Sequence, residues 1–498
     1  MSEFILTTVN SKYIHASLGL RYLYANMNEL QTRCKLIEFT LKDNANIITE
    51  KLIKENPTII GFGVYIWNVD KVHEVVSQLN LIKPNLKIVL GGPEVSFEQT
   101  LFKPFRNVDI IKGEADSAFY NYCKNHSEGI TNLKNNNAEK PDLLKLKSPY
   151  PYITDEDIKN KLIYVESSRG CVFKCEFCLS SIEENVRTFN LDLFLSDMKV
   201  LLDRGCRQFK FVDRTFNLNI KDSKRILLFF LNNIKADLFL HFEMIPDHFP
   251  ESLKELVTQF GKDQLQFEIG IQSFTPEVLS NISRKMKTKK TIENLTFLKE
   301  KTNVHTHTDL IVGLPGEDLE SFASSFNQLI NLRPGEIQVG ILKNLIGTPI
   351  KRHIVPHGLI FEQVPPYSIL QSNTISYLTM QKLKRFARYV ELYYNSGRFN
   401  KGLDLLFETH SHNPFKAFLE FGEWIWNRSQ QEHAIGLKLK FEYLINYLLE
   451  VCNLKSEKIV EVLAEDFMDP NLNPKGLQNA LPDALRENVD EIRRKLKL

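Results

Sequence analysis

Short apolar runs alternate with amphipathic stretches along the first 125 residues. The amphipathic stretches repeat apolar residues at helical spacing, as Val69, Val72, Val76 and Leu79 do. The apolar runs predict buried strands, and the stretches between them are long enough for the helical crossovers that parallel strands need. The pattern therefore predicts a doubly wound parallel α/β sheet whose ligand lies beyond the carboxyl ends of the strands. The predicted strands cover residues 4–9, 35–39, 58–64, 86–90 and 108–111.

A second series of apolar runs begins at residue 161 and predicts a partial barrel. Six β/α units are too few for a closed eight-stranded barrel, so an open (β/α)6 barrel is favoured, with reactive groups again at the carboxyl ends of its strands. The six strands are predicted to end at Ser168, Asp213, Glu243, Gln272, Gly313 and Leu342. Residues 126–160, between the two series, are polar and are predicted to be a linker.

From residue 366 onward only helical periodicity remains. Leu383, Phe386, Val390 and Tyr393 form one apolar stripe of this kind. No motif in this region indicates chemistry, and we expect it to cover the open side of the barrel or to shape a substrate cleft. The predicted domains are therefore 1–125, 161–365 and 366–498, with 126–160 as the linker.

The composition limits the partners and the location of the protein. Its 498 residues carry 63 basic and 61 acidic side chains, and this formal net charge of +2 argues against bulk recognition of nucleic acid. No apolar run reaches the ~18 residues of a membrane-spanning helix. The N-terminal residues lack the basic region of a signal peptide and are predicted to form the first strand. We therefore expect a cytoplasmic protein without membrane contact.

Three of the seven cysteines fall within eight residues. Cys171, Cys175 and Cys178 form a C-x3-C-x2-C array in SSRGCVFKCEFCLSS, after a predicted strand. Such crowding in a cytoplasmic protein indicates metal ligation or redox chemistry, and thiolates are the usual ligands of iron–sulfur clusters. A zinc site is one alternative, although Cys206 and His241 lack the spacing of zinc-finger ligands. Three unrelated buried cysteines are the other.

The cysteine array, in this place, resembles the radical S-adenosylmethionine superfamily. FEIGIQSFTPEVLSNISRK is similar to the segment of the fourth barrel strand in that family, and HTDLIVGLPGED is similar to the fifth. FVDRTFN follows the second strand. The resemblance implies a four-iron four-sulfur cluster on the three cysteines, with S-adenosylmethionine chelated to the open iron. It extends through the whole predicted barrel.

Five polar residues match family positions that contact S-adenosylmethionine. The resemblance implies that Tyr164 contacts the adenine, that Glu243, Gln272 and Asp309 supply hydrogen-bond partners, and that Arg284 pairs with the methionine carboxylate. The alternative is that these residues only hydrogen-bond loop backbone or face solvent. No residue is assigned to catalysis itself.

The N-terminal sheet before a radical domain resembles the cobalamin-binding class of the superfamily. GGPEVS and IKGEADSAF look like that class, and Gly91 and Gly92 let the backbone approach a large ring closely. The resemblance implies that Tyr65 and Trp67 wall one face of the corrin. The D-x-H-x-x-G sequence of another cobalamin family is absent, so we expect no histidine ligand to cobalt. His15 is the only histidine in a loop at the predicted binding edge.

Other ligands of the first domain have less support in the sequence. Methylthiotransferases of the superfamily carry a second cluster on N-terminal cysteines, but Cys34 and Cys123 have no cluster-like spacing. A flavin or nucleotide is a further alternative, although no G-x-G-x-x-G follows the first strand.

The resemblance implies an enzyme that methylates an unactivated carbon of a small-molecule or peptide substrate. It also implies an electron donor such as flavodoxin or ferredoxin. A cobalamin-dependent rearrangement or cyclisation is the first alternative, and a cobalamin- or redox-responsive module without turnover is the second. The last alternative is a scaffold for another protein, and the helical region is where such a protein would be expected to bind.

Overall fold

A computed structural model describes residues 3–97, 101–130, 137–183 and 185–468. Its N-terminal elements are β1 (Phe4–Asn10), α1 (Leu18–Ala25), β2 (Cys34–Thr40), α2 (Ala45–Lys54), β3 (Ile59–Gly63), α3 (Val69–Ile82), β4 (Lys87–Gly91), β5 (Val108–Ile110) and α4 (Ala118–Ser127). The strands form one parallel sheet in the order β2-β1-β3-β4-β5. This confirms the doubly wound sheet.

The strand order creates a crevice between β1 and β3. The chain leaves β1 toward one side of the sheet and leaves β3 toward the other, so the loops after these strands diverge. Every residue of β1 is buried, as expected for a central strand covered by helices on both faces. In sheets of this kind, ligands bind to the loops at the carboxyl edge beside such a crevice.

The stretch predicted to be a linker contains an ordered helix, α5 (Asp155–Asn160). Thr154 caps it reciprocally with Asp157. The Asp157 carboxylate also lies 2.8 Å from the Arg21 guanidinium of the first domain and 2.8 Å from Lys161 Nζ. These cations contribute to holding the pKa of Asp157 at about 2, against its burial. This helix is held by its cap and by ion pairs rather than by a stripe of apolar residues. The hydrophobic pattern of the sequence therefore did not indicate it.

The second region is a six-stranded parallel sheet curved into a partial barrel. Its elements are β6 (Ile163–Val165), β7 (Ser168–Arg169), β8 (Arg187–Thr188), α6 (Leu191–Asp203), β9 (Gln208–Phe211), α7 (Ile220–Asn232), β10 (Phe239–Met244), α8 (Glu251–Val257), β11 (Leu265–Gln272), α9 (Pro276–Asn281), α10 (Thr288–Lys301), β12 (His305–Val312), α11 (Leu319–Asn331) and β13 (Glu336–Ile341). The barrel order is β13-β12-β11-β10-β9-β6, and β7 pairs with β8 in a small separate ladder. The six predicted strands are confirmed.

Alternate residues of the barrel strands face the helices and the interior. On β11, Phe267, Ile269 and Ile271 belong to the apolar core under the helices, whereas Glu268 and Gly270 face the cavity of the barrel. The interior side therefore carries the polar groups of these strands.

The C-terminal region adds a hairpin and five helices. They are β14 (Ile360–Phe361), β15 (Ile369–Gln371), α12 (Tyr377–Tyr393), α13 (Asn400–Thr409), α14 (Pro414–Ser429), α15 (Leu437–Glu450) and α16 (Ser456–Met468). Phe386 and Phe415 pack against Phe326 of α11. The Asn395 side chain hydrogen-bonds both the backbone N–H and the backbone C=O of Ile337. These backbone groups of the edge strand β13 therefore have hydrogen-bond partners. The helices thus cover one side of the barrel.

Among residues 3–97, 101–130, 137–183 and 185–468, no helix has both the length and the apolar character needed to cross a lipid bilayer.

Candidate cofactor-binding site

The three clustered cysteines line a single cavity of about 240 Å³ at the carboxyl end of the barrel. Cys171 and Cys175 are buried, and Cys178 is half-buried. Burial raises the pKa of the Cys171 thiol. The loop that carries them follows β6, and the β7–β8 ladder pairs Ser168 and Arg169, before the cysteines, with Thr188 and Arg187, after them.

Asp213 holds the start of the cysteine loop. Its buried carboxylate accepts hydrogen bonds from the Ser167 amide, from Ser167 Oγ at 2.7 Å and from Ser168 Oγ at 2.6 Å. Burial raises the pKa of Asp213, and the serine hydrogen bonds oppose the rise. Asp213 ends the predicted second strand, so its position was predicted from the sequence but its role was not.

Glu176, between Cys175 and Cys178, anchors the middle of the loop. Its amide donates to Ile282 O at 3.1 Å, and its buried carboxylate contacts His353 Nε2 at 2.8 Å. Ser283 Oγ and the Arg352 guanidinium also bond this carboxylate. Sequence reasoning missed Glu176 because its partners lie more than a hundred residues away along the chain.

We expect Glu176→Ala to loosen the cysteine loop. Three donors would lose their shared acceptor, which costs about 1–3 kcal/mol of unfolding free energy when the group is buried. Thermal unfolding of the anaerobically purified protein, together with its iron content over time, measures this. Glu183→Ala is the matched control, because Glu183 pairs only with the exposed Lys140 among the described residues. Equal stability and iron retention in both variants would contradict the anchoring role.

Gln272, Arg284 and Asp309 form a polar wall of the same cavity. Arg284 Nη1 lies 3.4 Å from Cys175 Sγ, and Arg284 Nη2 donates to Gly270 O. A Cβ on Gly270 would stand 2.4 Å from Gln272 Nε2, so a larger residue there would displace the Gln272 amide from its present place. Gln272 follows a bulge between β11 and β12 and has φ +73°, which turns its side chain into the site.

These three residues keep polar atoms without hydrogen-bond partners among the described residues. Gln272 Oε1, Arg284 Nε and Asp309 Oδ1 are buried and unbonded, and His307 Nε2 lies 3.6 Å from Asp309 Oδ1. Burial, then the Glu268 and Glu243 carboxylates, raise the pKa of Asp309 well above its usual value. Buried polar groups normally find partners, so the wall has the properties of a ligand site.

Glu243 and Arg214 complete the rim of the cavity. Arg214 Nη1 lies 3.4 Å from Glu243 Oε1. Burial raises the pKa of Glu243, and the positive charge of Arg214 opposes this rise. Arg214 belongs to the FVDRTFN segment but was not predicted as a site residue. The sequence did contain a signal for Arg214, because this arginine directly follows Asp213, the aspartate that ends the second predicted strand.

Tyr164 takes a different place from the other predicted residues. It lies on β6 and is not among the residues that line the described cavity. Its hydroxyl is 2.8 Å from Nδ1 of His15, which belongs to the loop after β1. Contact of Tyr164 with adenine therefore stays a prediction, and the structure adds a contact between the two domains.

Polar side chains line the barrel interior below the cavity. His241 Nε2 lies 3.0 Å and Lys210 Nζ 3.5 Å from Glu268 Oε2. The hydrogen bond from His241 lowers the pKa of Glu268 to about 2. His307 Nε2 contacts Gln338 Oε1 at 3.0 Å. Glu268 also lines the cavity, so this polar layer continues directly from it.

A second cavity, of about 220 Å³, opens at the carboxyl edge of the N-terminal sheet. It reaches the middle of the sheet at Leu6, Gly61 and Val89, and its lining includes Gly91 and Gly92. Gly92 has φ +107°, and a Cβ there would stand 2.5 Å from Val64 O, so the turn requires glycine. The cavity is a narrow, largely apolar slot with bare backbone at its mouth.

Tyr65 and Trp67 stand together in the loop after β3. Their rings are stacked, with centroids 4.5 Å apart and planes 5° from parallel. Tyr65 lines the slot, and Trp67 is 47% exposed beside it. A flat exposed aromatic surface next to an apolar slot suits a large planar ring.

Arg169 connects the slot to the cysteine loop. Its guanidinium bonds Glu114 at 2.9 Å and Asp116 at 2.9 Å, both in the IKGEADSAF segment, and Glu166 of its own domain. It lines the slot and lies two residues before Cys171. The acidic residues of this segment thus join the two domains.

Three family models match successive parts of the chain. "B12 binding domain" matches residues 5–122, "Radical SAM superfamily" matches residues 165–329, and "Protein of unknown function (DUF4080)" matches residues 356–497. The first two matches fall on the domains that contain the slot and the cysteine cavity. The chain contains a radical SAM domain and, before it, a B12-binding domain.

Similar proteins agree with this assignment. The radical SAM protein is 24% identical over 368 residues to an uncharacterized methyltransferase of Pyrococcus horikoshii, which covers 69% of this chain and 79% of the relative. It is 23% identical to the cobalamin-dependent radical SAM methyltransferase TokK of Streptomyces tokunonensis, over 61% of this chain and half of TokK. The structure of the cobalamin-dependent S-adenosylmethionine radical enzyme OxsB, with aqua-cobalamin and S-adenosylmethionine bound, has TM-score 0.62 and 13% identity, over 99% of this chain and 84% of OxsB. The OxsB likeness shows a shared fold.

The radical SAM domain implies a four-iron four-sulfur cluster and S-adenosylmethionine, and its cavity fits both. Three thiols face unbonded acceptors on Gln272 and Asp309 and an arginine, which complement the hydroxyl, ammonium and carboxylate groups of S-adenosylmethionine. No three His, Cys, Asp or Glu side chains of the described residues are placed to hold a single metal ion. This does not support zinc, whereas a cluster, being larger, takes its thiolates farther apart.

The B12-binding domain implies cobalamin, and the glycine-lined slot fits a ring with an elongated tail. His15 is the histidine nearest this edge in sequence, but its ring is engaged with Tyr164 of the radical SAM domain. Burial, and then Lys12 and Lys210, lower the pKa of His15. This contact with Tyr164 leaves the expectation of no histidine ligand unchanged.

We expect cob(II)alamin bound to the full chain to show no nitrogen ligand from the protein. Electron paramagnetic resonance measures this, because a nitrogen ligand splits each cobalt line into three. His15→Ala should give the same spectrum as the unmodified protein, with Tyr164→Phe as control for the lost hydrogen bond. Triplet splitting that disappears only in His15→Ala would overturn the expectation.

Proposed function

We propose that this radical SAM protein methylates an unactivated carbon of a polar small molecule or peptide, using a four-iron four-sulfur cluster, S-adenosylmethionine and cobalamin. The observation that carries the proposal is the pair of cavities, one lined by the cysteines and the unbonded groups, the other by the glycines of the B12-binding domain, with Arg169 between them. The methyltransferase names of the two relatives support methyl transfer as the reaction.

The residues of the cysteine cavity position the reactants. Cys171, Cys175 and Cys178 would hold the cluster, while Arg284 would pair with the methionine carboxylate. Gln272 and Asp309 would accept hydrogen bonds from the ribose or the ammonium group. Together the bound cofactors supply hydrogen abstraction from an unreactive carbon and a methyl group.

Protein side chains also orient the cofactor-binding residues. Asp213 bonds the start of the cysteine loop and Glu176 its middle, and Gly270 O accepts a hydrogen bond from Arg284. Positioning of this kind matters because small misplacements of reacting atoms cost large factors in rate.

The polar layer under the cavity supports a polar substrate. Glu268 is held ionised by His241, and Lys210 and His307 offer further hydrogen-bond partners. An apolar substrate would take water away from these charged and polar groups without replacing its hydrogen bonds, which disfavours its binding. We further propose that the protein works in the cytoplasm, where thiols stay reduced, and that it needs an external reductant.

The proposal is tested by transfer of a labelled methyl group. Anaerobically reconstituted protein is given S-[methyl-¹³C]adenosylmethionine, reductant and a metabolite extract from cells that lack it, with and without cobalamin. We expect a labelled product that requires cobalamin and is missing with Cys175→Ala. A changed metabolite without label would instead support the rearrangement or cyclisation alternative, and would contradict methyl transfer.

A further inference from the structure

Residues 282–290, ISRKMKTKK, form a strongly basic segment beside the cysteine cavity. Five of these nine residues are Arg or Lys, and none is acidic. Lys285, Lys287, Lys289 and Lys290 are exposed, and no described carboxylate lies within ion-pair distance of any of their ammonium groups. The formal net charge of the chain is only +2, so this concentration of positive charge is local.

Two of these lysines stand where the helix itself disfavours them. Lys289 and Lys290 occupy the first turn of α10, which contains no acidic residue. The N-terminal end of a helix carries partial positive charge, so cations there lower the stability of the helix. The Asp247 carboxylate, which accepts a hydrogen bond from the Lys287 amide at 2.8 Å, brings one negative charge to this helix end, against the five basic side chains of the segment.

The basic segment is next to the cysteine loop. Arg284, at its start, lies 3.4 Å from Cys175 Sγ, and Lys285 lines the cysteine cavity. Ser283 and Arg352 meet at the same carboxylate oxygen, that of Glu176, so exposed Lys351 and Arg352 extend the positive surface. This basic surface, consisting of residues 284–290 with Lys351 and Arg352, thus borders the cysteine cavity, which Arg284 and Lys285 line.

We propose that the basic surface is the docking site for an acidic one-electron carrier protein. This inference rests on the proposed function, which requires an external reductant. One electron leaves the reduced carrier, which is oxidised by one electron, and enters the cluster, which is reduced by one; no bond is made or broken at the surface. Complementary charge steers such encounters and makes them sensitive to salt.

The test compares the two ends of α10. Lys289→Glu/Lys290→Glu reverses two charges in the basic surface, and Lys299→Glu/Lys301→Glu reverses two exposed charges at the other end of the same helix. The first variant places acids at a helix N-terminus, which favours folding, so lost binding cannot be ascribed to lost stability. The probe is reduced flavodoxin, whose affinity for the full chain is measured by calorimetry at low and high salt.

We expect the Lys289→Glu/Lys290→Glu variant to bind flavodoxin at least ~10-fold more weakly at low salt, with less salt dependence than the unmodified chain. Stopped-flow reduction of the cluster by flavodoxin should slow by the same factor, while reduction by dithionite is unchanged. The control variant should stay within about twofold. A cluster that dithionite cannot reduce would contradict the proposed function instead.

Equal flavodoxin affinity for both variants, with normal reduction by dithionite, would overturn the docking site. Loss of poly(U) RNA binding in Lys289→Glu/Lys290→Glu, with flavodoxin binding kept, would overturn it as well, because the surface would then serve a nucleic acid.

Discussion

Cys175→Ala should lower the iron bound by anaerobically purified protein from about four atoms per chain to nearly none. The reason is that the three thiols of one loop are the expected protein ligands of the cluster, and Cys175 is a buried one of them that also contacts Arg284. Cys171→Ala and Cys178→Ala should have the same effect. Iron analysis and the visible absorption of the cluster measure it.

Cys452→Ala is the control for this loss. Cys452 is half-buried in the helical region and accepts a hydrogen bond from Thr409, far from the loop in sequence. It should keep the full iron content. A full cluster in Cys175→Ala would show that the cavity does not hold iron through this loop.

Asp309→Ala should weaken the binding of S-adenosylmethionine while leaving the iron content unchanged. A buried polar partner left unpaired costs about 1–3 kcal/mol, which corresponds to a rise in Kd of ~5- to 150-fold. Asp309 stands among Glu243 and Glu268, and burial with these two carboxylates raises its pKa, so a cationic ligand gains from all three groups. Equilibrium binding to the cluster-loaded protein measures the change.

His305→Ala is the matched control, because His305 lies on the same face of the same strand, at its opposite end. It should bind S-adenosylmethionine with nearly unchanged affinity. Asp309→Asn separates the charge from the hydrogen bond, and an intermediate Kd is expected. Normal affinity in Asp309→Ala would show that Asp309 is structural.

Periodicity predicted the fold well because every barrel strand is apolar on its helix side. Gln272 and Asp309 were found for the same reason, since a polar residue at the end of such a strand must face the barrel mouth. The bulge that turns Gln272 into the cavity could not be predicted, because it depends on the register of β11 against β12.

Contacts between distant segments account for what sequence analysis missed. Glu176 bonds Arg352 and His353, and Arg169 bonds Glu114 and Asp116 of the other domain, and no local pattern encodes either pairing. Helix α5 was missed because ion pairs, rather than an apolar face, hold it. The domain boundaries and the individual roles of the site residues stay predictions.

The most direct test of the central claim, that one chain uses its cysteine cavity to cleave S-adenosylmethionine reductively, is the formation of 5′-deoxyadenosine. The full chain is reconstituted anaerobically with iron, sulfide and cobalamin, reduced with dithionite, and given S-adenosylmethionine. We expect 5′-deoxyadenosine from the unmodified protein and none from Cys175→Ala. A protein that holds a full cluster and binds S-adenosylmethionine, yet forms no 5′-deoxyadenosine, would contradict the claim.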